Sequence, residues 1–199
     1  DARAWMMLEH LRTWRAWSRT PGNPFYGRVD MERIALAGHS RGGEAVAVAA
    51  MFNRLRHYPD DANLTFDYNF SIKAIVALAP IEGQYQAAGR ATEVRDTSFL
   101  VLHGANDNDV SPYMGSRIYQ HVHFADGNYH LKAGLFIDRA NHTQFNTRWG
   151  PTDKASPFGW LENQKPLLPA AAQRQVARVY ISAFLDVALR GERTYLPLL

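Results

Sequence analysis

Cysteine is absent from this chain of 199 residues. Its absence excludes disulfide bonds, thiolate metal sites and a cysteine nucleophile together. Long apolar runs are also lacking, so the sequence predicts no membrane span, and its first residues are typical of a helix and not of a signal peptide. The net charge is only +3, and the arginines are spread along the chain. This distribution argues against a nucleic-acid partner.

What remains is the composition of an ordinary globular protein, with 46% hydrophobic and 21% charged residues. The length suits one domain with a sizeable core, which we expect to span 1–199. The sequence contains no internal repeat. It leaves the cellular compartment undetermined, with secretion slightly favoured.

Alternating strand and helix patterns predict an α/β fold with a mostly parallel sheet and flanking helices. The predicted strands are 33–37, 72–79, 98–103 and 131–138. The predicted helices are 1–17, 41–57, 111–124 and 170–190. Asp1 is expected to cap the first helix and Ser111 the third, with Pro112 in the third helix's first turn. Residues 58–69 are predicted to be a loop, in which a solvated Asp60-Asp61 pair is favoured over a calcium site.

The most informative stretch is Gly38-His39-Ser40-Arg41-Gly42, a match to G-x-S-x-G between a predicted strand and a predicted helix. A serine that stands clear of a sheet at such a turn has a strained backbone. Gly38 and Gly42 would relieve the crowding, and Gly43 would give further room. The turn would also direct the backbone N–H of Arg41 towards a developing negative charge.

Three reactive groups follow strands in the order Ser40, Asp107 and His142. The carboxyl ends of parallel strands meet at one edge of a sheet, so these side chains are expected to lie together. Histidine can act as the base that serine needs, and an acid orients the imidazole. Asp109 and Glu82 remain alternatives for the acid, although the G-x-x-D spacing favours Asp107.

The other histidines are expected to be structural. His39 should pack beside the first strand, and His103 ends a strand. His121 and His123 are two residues apart on a predicted helix, so they do not share a face and a metal site from them is not expected.

On these motifs the chain resembles the α/β-hydrolase superfamily, in its serine esterase and lipase branch. The matching segments are G-H-S-R-G at 38–42, L-H-G-A-N-D-N-D-V-S-P at 102–112, A-N-H at 140–142 and the tail at 184–199. The tail resembles secreted lipases and bacterial polyester hydrolases, and G-H-S-R-G-G resembles chlorophyllase-like enzymes. The resemblance implies an α/β-hydrolase fold and a catalytic domain. It makes Ser40 the nucleophile, His142 the base and Asp107 the acid, with the Arg41 N–H in the oxyanion hole.

The expected activity is hydrolysis of a small-molecule or polymeric carboxylic ester through an acyl-enzyme, without a cofactor or metal. His39, Tyr85, Phe145 and Trp149 are the predicted substrate-binding residues, since aromatic side chains near strand ends could wall an apolar pocket. Two other functions stay open. One is a serine peptidase of the prolyl-oligopeptidase type, and the other is a non-catalytic binding module with the same fold.

The resemblance also implies that 1–199 is only the C-terminal part of the fold, from the helix before the nucleophile strand onward. At about 30 residues for each βα unit, roughly 100 residues would precede it. They would come from a separate chain or from another segment of the protein. We therefore expect the strand before Ser40 to keep an unpaired edge in this chain.

Overall fold

The computed structural model describes residues 2–110, 113–154 and 157–199, and the predicted caps Asp1 and Ser111, with Pro112, lie outside these ranges. The strands in chain order are β1 (Ile34–His39), β2 (His57–Tyr58), β3 (Asp61–Thr65), β4 (Ile72–Leu78), β5 (Val94–Arg95), β6 (Ser98–Gly104), β7 (Val122–His123) and β8 (Lys132–Ile137). The helices are α1 (Ala2–Arg19), α2 (Arg41–Phe52), α3 (Gly115–Gln120) and α4 (Ala170–Arg190).

Strands β1, β4, β6 and β8 form the central sheet in that spatial order, and each neighbouring pair is parallel. The prediction of an α/β fold with a mostly parallel sheet and flanking helices is therefore confirmed. Because all four strands run in the same direction, Ser40 and the segments after Leu78, Gly104 and Ile137 lie at one edge of the sheet.

The sheet is covered on both faces, which explains the nearly continuous apolar runs of its central strands. Alternate side chains point to opposite faces. Ile75, Phe99 and Val101 pack in one cluster with α1 and α2, whereas Val76 and Leu100 pack with α4 in the other. Helix α4 has the predicted bounds.

Strand β1 is an edge strand. The backbone N–H groups of Ile34 and Ser40 donate towards the β4 side, to Ser71 and Leu78. The intervening odd-numbered N–H groups therefore face away from β4. Within the described ranges no strand pairs with that side of β1. The expectation of an open edge agrees with this arrangement, while the expectation of a preceding segment stays a prediction.

The prediction of a loop at 58–69 was wrong, since β2 and β3 form an antiparallel hairpin there. Every side chain of β3 is exposed, so the segment lacks the apolar alternation that would have revealed a strand. The Asp60 carboxylate accepts hydrogen bonds from the Tyr85 hydroxyl at 2.7 Å and the Ala88 N–H at 2.8 Å. These bonds hold the hairpin against the loop after β4.

Two helices are shorter than predicted. Helix α2 ends at Phe52, and the side chain of the capping residue Asn53 bonds the backbone N–H and carbonyl of Phe70, at 2.7 and 2.8 Å. Helix α3 ends at Gln120 because Val122 and His123 form β7, which pairs with β5. Both boundaries are set by tertiary contacts that helical periodicity does not report.

Candidate active site

Ser40 lies at the turn between β1 and α2 with φ 57° and ψ −122°. A non-glycine residue with such a positive φ is strained, and strain of this kind concentrates at functional sites. The backbone holds the strain in place: the Ser40 N–H donates to Leu78 at 2.9 Å, and its carbonyl accepts from Gly43 at 2.9 Å. The Ser40 side chain makes no capping bond to α2. The hydroxyl is therefore not committed to the helix end.

The glycines of the turn are required by close packing, though not all in the predicted way. A Cβ on Gly38 would lie 2.0 Å from the carbonyl oxygen of Gly42, and one on Gly43 would lie 2.7 Å from Cβ of Pro80. A Cβ on Gly42 would meet nothing within 4 Å. The prediction that Gly42 relieves crowding is corrected. A side chain would be sterically excluded at positions 38 and 43, but not at position 42.

Helix α2 begins at Arg41, immediately after Ser40. The first N–H groups of a helix have no partner inside it, so the predicted oxyanion donor at Arg41 is free of intrahelical bonds and lies at the positive end of the helix dipole. Glu44 in the same turn is buried, and its carboxylate accepts from the Gln84 N–H at 2.8 Å. Burial raises the pKa of Glu44. This contact, which sequence reasoning missed, fixes the loop after β4 against the start of α2.

The structure brings His142 and Asp107 together in the loops after β8 and β6. His142 Nδ1 lies 2.9 Å from Asp107 Oδ2, and both side chains are almost fully buried. Asp107 Oδ1 accepts the N–H groups of Asp109 and Val110, at 3.0 and 2.6 Å. Because the carboxylate can only accept, Nδ1 carries the proton. The lone pair of a neutral ring is then on Nε2, where a base would need it.

Neither alternative acid contacts His142 at Nδ1. Glu82 faces Arg117, 3.5 Å away. Asp109 Oδ2 lies 3.3 Å from His142 Nε2, at the opposite nitrogen from Asp107. His142 Nε2 is buried and has no hydrogen-bond partner within the described residues, so the bond from Ser40 Oγ to Nε2 is not formed in this conformation.

His39 links the Ser40 turn to His142. Its ring centroid is 4.6 Å from that of His142, and its Nε2 donates to the His142 carbonyl oxygen at 3.1 Å. Trp149 and Phe145 lie beside the His39 ring, with centroid distances of 5.2 and 6.1 Å. Three of the four predicted substrate-binding residues thus form one group, in which His39 contacts His142 and the two aromatic residues contact His39.

Tyr85, the fourth, does not join this group. Its ring packs edge-on against Phe52, and its hydroxyl donates to Asp60. These contacts hold the loop after β4 against the β2–β3 hairpin. They give Tyr85 a structural role, and a substrate contact for it stays a prediction.

The loop that carries His142 is anchored on both sides. Gln173 of α4 is fully buried, and its side chain exchanges two hydrogen bonds with the Asn141 backbone, at 3.1 and 2.8 Å. These bonds fix the residue before His142 to a long helix. No sequence pattern pointed to Gln173, because a polar residue in a helix is most often exposed.

Asp153 is the second anchor, and it too was missed. One carboxylate oxygen accepts from the N–H groups of His142 and Asn108, at 3.1 and 3.0 Å. The other accepts from the Thr143 N–H and hydroxyl and from the Asn141 side chain, at 2.9 to 3.0 Å. A single buried side chain therefore ties the loop of His142 to the loop of Asp107.

The protonation of the two histidines differs. Burial lowers the pKa of His39 to about 4, assisted by the neighbouring His142, so His39 is neutral at pH 7. Burial also acts to lower the pKa of His142, but the hydrogen bond and charge of Asp107 outweigh it, followed by the charges of Asp109 and Asp153. The pKa of His142 is raised above its usual range as a result.

A separate group of Asp96, Asp126 and His130 lies at the amino ends of the strands, away from Ser40. Its potential ligand atoms are within 4.8 Å of one another. These atoms already have partners within the protein. His130 Nε2 bonds Asp126 at 2.9 Å. Asp96 accepts the Ala125 N–H at 2.7 Å and forms an ion pair with Arg54. The group can be explained by the interactions it makes, and the absence of a metal requirement stays a prediction.

Among the residues that the structure describes, no helix is both long and apolar enough to cross a membrane. Searches against protein-family models and against curated proteins returned no match. The chemistry of the site must therefore be argued from its own geometry.

Proposed function

We propose that this chain carries the nucleophile, base and acid of a serine hydrolase of the α/β-hydrolase type that acts on carboxylic esters. The observation that carries the proposal is the backbone of Ser40, held at φ 57° between a parallel strand and a helix start. The His142–Asp107 pair in the adjoining loops supports it, because a serine needs an oriented base. Five other described non-glycine residues also have a positive φ, so what distinguishes Ser40 is its position between β1 and the start of α2.

In the proposed reaction Ser40 Oγ attacks the acyl carbon and its proton passes to His142 Nε2. Asp107 stabilises the imidazolium through Nδ1, and the Arg41 N–H donates to the oxyanion. His142 then protonates the leaving alcohol, and an acyl ester forms on Ser40. A water molecule, deprotonated by His142, attacks this ester and releases the acid, which restores Ser40 and its proton.

Before Ser40 can transfer its proton, Oγ and Nε2 must come within hydrogen-bond distance. Active-site hydrogen bonds are often long in the absence of substrate and shorten in the complex. The Ser40 hydroxyl makes no capping bond to α2, so no such bond opposes rotation of its side chain.

A fluorophosphonate probe tests the proposal directly, since it phosphonylates a serine only where that serine is activated. We expect labelling of the peptide that contains Ser40 in folded protein, detected by mass spectrometry, and none after denaturation. Ser40→Ala should abolish the label, whereas Ser18→Ala should keep it, because the Ser18 hydroxyl bonds only locally to Arg15. An unlabelled folded protein would favour the binding-module interpretation.

Activity on p-nitrophenyl esters and on peptide anilides then separates an esterase from a serine peptidase. The proposed function predicts turnover of the ester and little or none of the anilide. Faster turnover of the anilide would favour a peptidase of the prolyl-oligopeptidase type. Both assays should be run on the protein that labels at Ser40.

Asp153→Asn should lower kcat/KM for an ester by about 10- to 100-fold, because small displacements of catalytic groups have effects of this size. An asparagine amide group would face the backbone N–H groups of His142 or Thr143, and two donors cannot bond each other. The measurement is steady-state kinetics with thermal unfolding at the same pH. Asp186→Asn, which disrupts an ion pair with Arg190 on the surface of α4, is the matched control. Full activity in Asp153→Asn would contradict the anchoring role.

A further inference from the structure

His142 lies between two carboxylates, of which the proposed mechanism uses only one. Asp107 contacts Nδ1 at 2.9 Å and Asp109 contacts Nε2 at 3.3 Å. Nε2 is the atom that must accept the proton of Ser40. A neutral ring with its proton on Nδ1 presents a lone pair at Nε2, which an ionised carboxylate cannot bond. The carboxylate can bond Nε2 only when Nε2 carries a proton.

The backbone around Asp109 is held by hydrogen bonds, which place its side chain beside the His142 ring. The Asn108 N–H donates to Asp153, and the N–H groups of Asp109 and Val110 donate to Asp107. The Val110 carbonyl accepts from His103 Nε2 at 2.8 Å. The same turn that orients Asp107 thus directs Asp109 to the other side of the ring.

Two opposing effects act on a proton at Nε2. The atom is buried and has no hydrogen-bond partner within the described residues, and burial disfavours the charged ring. The carboxylate of Asp109, 3.3 Å away, favours the charged ring through its negative charge. Asp109 itself is about half exposed, so it can turn to solvent when the ring is neutral.

We propose that Asp109 is a second catalytic carboxylate, which holds the imidazolium of His142 at Nε2 and so sets the lowest pH at which Ser40 is activated. This inference rests on the proposed function. At low pH the Nε2 proton is directed to Asp109, and the ring cannot accept the proton of Ser40. As the pH rises the ring loses that proton, the contact with Asp109 ends, and Nε2 becomes available as a base.

Other charged or titratable groups also face the His142 ring and bear on its titration. They are His39 from β1, His103 from β6, Asp107 and Asp109 from the loop after β6, and Asp153. Burial lowers the pKa of both His39 and His103, whereas the pKa of His142 is raised. The side chain of Asp109 is the exposed carboxylate of the set, and it can be changed without removing a hydrogen bond that holds the loops.

The test measures the rate of fluorophosphonate labelling of Ser40 as a function of pH. In Asp109→Asn the rise of the rate should begin at lower pH than in the wild type, by about 0.5 to 1 pH unit, the size expected for loss of a partly exposed charge pair. Asp67→Asn, which removes an exposed carboxylate that pairs with Arg12, should leave the rise where it is. Salt at roughly 1 M should shift the wild type in the same direction as Asp109→Asn, and the variant less.

A second measurement does not depend on activity. The titration of the His142 ring can be followed by nitrogen–proton NMR, with the signal identified by its loss in His142→Gln. Asp109→Asn should lower the midpoint by the same amount as the labelling profile. An unchanged midpoint and labelling profile in Asp109→Asn, or an equal shift in Asp67→Asn, would overturn the role of Asp109. Failure of the wild-type protein to label at every pH would instead overturn the proposed function.

Discussion

Replacement of Ser40 by alanine is expected to lower kcat for ester hydrolysis by about 10⁴- to 10⁶-fold, with little change in the fold. The hydroxyl is the proposed nucleophile, and no other group of the site can form the acyl ester. The side chain makes no capping bond to α2, so its removal takes no stabilising contact from the helix. The measurement is single-turnover and steady-state kinetics, with circular dichroism and thermal unfolding to compare the folds.

His142→Ala should cause a loss of the same size, because the serine is a weak nucleophile without its base. The double variant should be no slower than the slower single variant, since the two residues act as a unit. His121→Ala is the control: its ring bonds the Arg117 carbonyl and should leave kcat within a few-fold of the wild type. Nearly additive losses from Ser40→Ala and His142→Ala would refute the shared mechanism.

The central fold was predictable because its signals are local. The strands around Leu36, Ile75 and Leu100 lie in apolar runs bounded by glycine or proline, and α4 shows an apolar face at helical spacing. Ala183, Phe184 and Val187 of that face are buried. The β2–β3 hairpin could not be found in the same way, since β2 is only two residues long and every side chain of β3 is exposed.

The site also has residues that the sequence could predict and residues that it could not. Ser40, Asp107 and His142 follow strand ends in a recognisable order, so sequence alone could bring them to one edge of the sheet. Asp153 and Gln173 act through the backbone of residues near His142, and nothing in their own neighbourhoods marks them. Positioning residues of this kind depend on which loops meet in space, which a motif does not encode. Tyr85 shows that a position after a strand does not by itself bring a side chain to His142, because its ring packs against Phe52.

Asp107→Asn is expected to lower kcat by about 10⁴-fold, the effect of leaving the base in the wrong tautomer. The reason lies in the bonds of the carboxylate. Its Oδ1 accepts two backbone N–H groups, so the asparagine oxygen will keep that place and its amide nitrogen will face His142 Nδ1. The ring must then accept at Nδ1 and carry its proton on Nε2, where it can no longer take the proton of Ser40.

The alternative acids supply the controls. Glu82→Gln removes only the partner of Arg117 and should leave kcat nearly unchanged; a loss larger than that of Asp107→Asn would identify Glu82 as the acid. The pH dependence separates the two aspartates further. Asp107 provides the largest of the influences that raise the pKa of His142, so in Asp107→Asn the midpoint of the ring titration should fall more than in Asp109→Asn. Only Asp107→Asn should also reverse the tautomer of the neutral ring, which nitrogen chemical shifts report directly. A neutral ring that still carries its proton on Nδ1 in Asp107→Asn would show that another group orients His142.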